Sequence, residues 1–123
     1  MKRLFVFSIF AALLAAACSN QVGSGSAAST TCSPSVPASC PSSAPSYQSD
    51  VAPLLETYCT SCHSAGGSEP SKLLDSYASA AKWSRDVESE IASCGMPPSG
   101  EAQPTDAERE VILTWIVCGA NNN

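Results

Sequence analysis

Five residues, Cys59-Thr60-Ser61-Cys62-His63, limit what this chain can fold into more than any other feature. Two thiols three positions apart lie on neighbouring faces of one helical turn, and an imidazole follows directly. His63 is the only histidine in 123 residues. The stretch able to fold around this motif, 47–123, is near the size where an apolar core alone becomes marginal. Domains of that size ordinarily lean on disulfides, a metal or a bound cofactor, and this sequence has the side chains for all three.

The residues before it read differently. Lys2 and Arg3 precede an apolar run from Leu4 to Ala17, shorter than the roughly 20 residues that span a bilayer. A basic start, a short apolar middle and a small-residue end predict an export signal over 1–17. Ala15-Ala16-Ala17-Cys18 looks like a bacterial lipoprotein box, although Ala15 stands where such boxes usually carry Leu. That resemblance implies a lipidated Cys18 and a membrane anchor. Ser19 after it suggests the outer membrane, with the protein on the periplasmic face. Residues 18–46, rich in Ser, Ala, Gly and Pro without hydrophobic period, are expected to form a disordered, lipidated tether. Without residues 1–17, four basic residues face eleven acidic ones, a balance of −7. Such a chain offers no basic patch for nucleic acid, and an electrostatically steered partner would present a basic docking face.

The remaining pattern is helical. Ser49 or Asp50 can cap a first helix through Val51, Leu54, Leu55 and Tyr58, with Pro53 in its opening turn. A second is expected from Asp75 or Ser76, with Tyr77, Ala81, Ser84, Val87 and Ile91 on one face and Gly95 as its stop. Thr105-Asp106-Ala107-Glu108 spells a capping box for a third, with Val111, Ile112, Trp115 and Ile116 apolar and Gly119 at its end. No segment alternates as a strand would. The predicted class is all-α, three helices in one domain over 47–123.

Four chemistries compete for the CxxCH motif. Zinc needs four ligands, and there is neither another histidine nor a second CxxC. A thioredoxin-like pair belongs in a strand–helix setting, which is missing. A local disulfide is the third reading. The fourth is one covalently bound haem c, each thiol adding to one vinyl group while His63 ligates the iron. For the sixth position, Met96 is the one methionine beyond Met1. Pro97 after it disfavours helix at Met96, and two prolines stiffen the segment. Met96 as core filler, or Lys72 or Lys82 as ligand, are the alternatives.

The CxxCH motif closing a first helix, Met96 within Gly95-Met96-Pro97-Pro98, and an amphipathic C-terminal helix together resemble class I mono-haem cytochromes c. The resemblance is strongest to small MPP-containing domains of exported bacterial lipoproteins. It covers Tyr47 to Ala120 and implies a three-helix domain around one covalent haem. It also implies Cys59 and Cys62 as attachment sites, His63 as proximal and Met96 as distal iron ligand, and crossing of the first and third helices. A short His63-to-Met96 stretch and extra cysteines depart from the pattern.

Cys32, Cys40, Cys94 and Cys118 remain, an even number suited to disulfides in an exported chain. Two helix ends favour Cys94–Cys118, leaving Cys32–Cys40 within the tether; bridges from tether to domain are the alternative. Tyr77, Trp83 and Trp115 could donate to haem propionates or simply pack, and Lys82 and Arg85 could offset propionate charge or face solvent. With both axial positions filled, the expected function is outer-sphere electron transfer between redox partner proteins, rather than enzymatic turnover. The alternative is a haem sensor or peroxidase-like enzyme in which Met96 leaves the iron.

Overall fold

The computed structural model describes residues 31–123, so the expected export signal and Cys18 lie outside the described residues. Helices make up its regular structure: a π-helical turn Tyr47–Val51, then α1 Ala52–Tyr58, α2 Tyr77–Lys82, α3 Ser84–Ala92 and α4 Asp106–Val117. The all-α class holds, and no strand occurs among the described residues. None of the described helices is long and apolar enough to cross a membrane.

The first helix starts earlier than its cap signals suggest. Ser46 rather than Ser49 or Asp50 caps it: the Ser46 hydroxyl accepts from the Ser49 amide, and the Asp50 carboxylate accepts from the Ser46 amide at 2.7 Å. Asp50 is thus the returning half of the cap. Pro53 falls in the opening turn of α1, as expected.

The expected single second helix is broken at Trp83. That residue sits at φ −96°, ψ 10°, capping α2 at one end and opening α3 at the other. The apolar spacing from Tyr77 to Ile91 survives the break, which is why periodicity alone did not reveal it. Ser76 caps α2 through a reciprocal bond with Ser79. The stop of α3 also differs: Cys94, not Gly95, takes the left-handed conformation, at φ +60°. Gly95 N–H donates to the Glu90 carbonyl and Cys94 N–H to that of Ile91, a Schellman closure with a non-glycine at its strained position. At the end of α4, Gly119 plays this part itself, at φ +93°.

Val51, Leu55, Ile91, Ile112, Leu113 and Trp115 are almost wholly buried and form the centre of the core. The first and last helices meet chiefly where the π-helical turn lies on α4. Tyr47 packs its ring 5.4 Å from Trp115 and 5.2 Å from Tyr77. At the other end Tyr58 donates its phenol to the Glu108 carboxylate at 3.2 Å.

Two corrections concern the N-terminal segment. The disulfides are Cys32–Cys94 and Cys40–Cys118, not Cys94–Cys118 and Cys32–Cys40. Over 31–46 the chain is therefore no free tether: it is bridged to the ends of both α3 and α4. The Ser33 and Ser35 amides add bonds to Asp106 and Glu110 on the exposed side of α4. Acidic residues there supply acceptors for backbone donors that a Ser/Pro-rich segment cannot satisfy by itself. Composition reads such a segment as disordered because it lacks apolar side chains, yet covalent bridges do not require them.

Candidate functional site

The CxxCH motif continues α1 as a tightened turn. Cys59 and Thr60 amides both donate to the Leu55 carbonyl, and the Cys62 and His63 amides both donate to the Cys59 carbonyl. Helix and motif are thus one rigid piece, anchored in the core by Leu55. The chain then folds back: Glu69 N–H donates to the Cys62 carbonyl and Leu74 N–H to the His63 carbonyl, each at 2.9 Å. Gly67 makes this return possible, because a Cβ there would overlap the Cys62 carbonyl. Gly66 next to it has open space where a Cβ would stand, so the close approach that singles out Gly67 depends on the return path of the chain.

His63 is oriented by that same return. Its Nδ1 lies 2.9 Å from the carbonyl oxygen of Lys72. A carbonyl only accepts, so Nδ1 carries the proton and Nε2 keeps its lone pair for a metal. This is the backing that ligating histidines ordinarily have.

Cys59, Cys62, His63 and Met96 line one cleft of about 480 Å³, within the range of small-molecule and cofactor sites. Leu74, Trp83, Val87 and Ile91 give it a largely apolar wall. Cys59 is buried and Cys62 half-buried, both as free thiols. Burial pushes the Cys59 thiol up to about 11, against a smaller opposing pull from the Arg109 guanidinium. Cys59 is therefore a neutral thiol near pH 7. Met96 is 38 % exposed at the cleft, so it is no filler of the core.

Trp115 donates to the Asn121 carbonyl and Tyr77 to the Ala120 carbonyl, so both serve packing. Trp83 alone of the three aromatics lines the cleft, with Lys72 and Lys82 ammonium groups 5.3 and 5.0 Å from its ring. Lys72 also pairs with Asp86 at 2.6 Å, which raises its pKa.

Two residues beside Met96 carry no motif. Arg109 is 1 % exposed, and its Nη1 donates to the Met96 carbonyl at 2.8 Å. Its Nη2 donates to Gln103 Oε1, also at 2.8 Å. The signal for Arg109 was its position, three and four residues before Ile112 and Leu113 on the apolar face of α4.

This donor set fits a covalent haem: two thiols on one turn, a backed imidazole, a thioether and a mostly apolar cleft. The family model described as cytochrome C oxidase, cbb3-type, subunit III matches residues 48–116, from the π-helical turn to the last turn of α4. No curated protein and no solved structure matches the chain. The match covers more than half of the sequence and includes the entire CxxCH-to-Met96 cleft. The chain belongs to this family, and its folded part is a mono-haem c-type cytochrome domain with covalently bound, iron-containing haem that serves electron transfer.

Proposed function

We propose that this domain is a membrane-tethered one-electron carrier whose haem is fixed by Cys59 and Cys62 and held axially by His63 and Met96. The observation that carries the reading is that these four side chains, separated by up to 37 positions, line a single cleft. The bound haem supplies an Fe(II)/Fe(III) couple. The chain's own residues do the rest. Cys59 and Cys62 fix the cofactor to the rigid end of α1, and the Lys72 carbonyl keeps the His63 ring in one tautomer. Leu74, Val87 and Ile91 keep water from the cleft wall. With the His63 imidazole and the soft Met96 thioether as its ligands, the haem would favour the reduced state, at a higher potential than two imidazoles would give.

The family takes its name from an oxidase subunit, which supports a role in passing electrons within or toward a larger redox complex. An acidic chain suits partners with a basic docking face, and Cys18, if lipidated, would hold the domain on the periplasmic face of the outer membrane. The exposure of Met96 favours one rival, a haem sensor or peroxidase-like enzyme whose distal position opens. The ferric protein should show the weak far-red sulfur-to-iron band, and the ferrous protein should bind carbon monoxide slowly. Met96→Ala should erase the band and lower the potential. Rapid carbon monoxide binding by the unmutated protein would favour the rival.

A further inference from the structure

We infer that Arg109 and Gln103 form a clamp that positions Met96, acting on the backbone of its loop rather than on the thioether. The inference rests on Met96 being the distal ligand. Pro97 and Pro98 have no N–H, so only the amides flanking them brace the segment, Met96 N–H to the Glu90 carbonyl at 3.3 Å and Glu101 N–H to the Pro98 carbonyl at 3.2 Å. The remaining bracing comes from side-chain donors aimed at carbonyls. Arg109 Nη1 takes the Met96 carbonyl at 2.8 Å. The Gln103 amide nitrogen takes the carbonyls of Pro97 and Pro98 at 3.0 Å and of Glu101 at 3.2 Å. Arg109 Nη2 then fixes the other end of that amide by donating to Gln103 Oε1. One guanidinium and one amide thus hold four loop carbonyls, three of them consecutive and beginning at Met96.

The cost of this arrangement points the same way. Arg109 is almost fully buried, no carboxylate pairs with it among the described residues, and its Nε is buried without a hydrogen-bond partner. A buried cation with an unmet donor is unfavourable for stability alone, and an apolar residue would suit that face of α4 better. Its two fork nitrogens reach two acceptors at fixed geometry, which a lysine cannot reproduce. The clamp belongs on α4 because α4 is the regular element whose buried side reaches the Met96 carbonyl.

The test uses holoprotein variants read by spectrum and ligand kinetics. Arg109→Met and Gln103→Ala should retain covalent haem. Both should weaken the far-red band and speed carbon monoxide binding to the ferrous form, about tenfold or more for Arg109→Met and less for Gln103→Ala. Arg109→Lys should rescue only in part. Gln103 is exposed, so its variant folds whatever happens at Arg109. Val51→Ala, a core truncation in the π-helical turn, gives a destabilised control that should keep the band and slow binding. The clamp is overturned if Gln103→Ala and Arg109→Met bind carbon monoxide at the wild-type rate, or if Val51→Ala speeds it equally. A wild-type protein without the band would sink the Met96 reading itself, and the clamp with it, which separates the two failures.

Discussion

Removing the Cys40–Cys118 bridge should cost this domain about 3–4 kcal/mol of folding stability, less than its span in sequence suggests. Taken alone, a bridge closing 78 residues would remove about 4.5 kcal/mol of unfolded-chain entropy. The unfolded chain, however, is already closed by Cys32–Cys94, which spans 62 residues, and the two loops interlock. With that bridge in place, the path from Cys40 to Cys118 runs back eight residues to Cys32, crosses, and continues 24 residues from Cys94. The newly closed ring is about 32 residues, for which the same chain-entropy relation yields about 3.7 kcal/mol. Urea unfolding of holoprotein carrying Cys40→Ser and Cys118→Ser together measures this, compared with the oxidised wild type. The Cys32→Ser, Cys94→Ser pair should behave similarly, because the shortest remaining ring is the same. A loss below about 1 kcal/mol, or non-reducing peptides joining Cys94 to Cys118, would refute the interlocked pairing.

Other outcomes follow from single sites. Glu108 accepts from the Thr105 backbone and hydroxyl and from Tyr58, and the first of these bonds does most to hold its carboxyl below the ordinary value of 4.5. A depressed carboxyl stabilises the fold above pH 4.5 and loses that contribution as pH falls through the lowered value. Glu108→Ala should therefore cost about 1 kcal/mol at pH 7, with the gap to wild type closing as pH falls below 4.5 and through the lowered value; a gap independent of pH would contradict this. Mass spectrometry of the mature chain should find an acylated Cys18, and Cys18→Ser should release the protein from membranes. A mature N-terminus elsewhere without lipid would remove the anchor.

Much of this fold was legible because its signals are local. The Thr105–Glu108 box, the Ser76 cap and the Gly119 stop each depend on a few adjacent residues and appear where their spacing places them. What escaped depends on contacts between distant parts of the chain. The bridges from Cys32 and Cys40 join residues 62 and 78 apart, and four cysteines admit three pairings that spacing cannot rank. The break at Trp83 leaves the apolar period intact, and Cys94 takes a conformation that glycine would have advertised. In the site, CxxCH announces itself by chemistry, whereas Arg109 and Gln103 act through backbone carbonyls and need no motif.

The most direct test of the central claim is peptide mass spectrometry on protein matured with its haem attached. The peptide holding Cys59, Cys62 and His63 should carry one haem, with neither cysteine available to alkylation, while Cys32, Cys94, Cys40 and Cys118 appear in their two bridges. Cys59→Ser with Cys62→Ser should abolish covalent haem. Recovery of the wild-type peptide with both thiols free, or bridged to each other, would contradict the assignment of these residues to the cofactor.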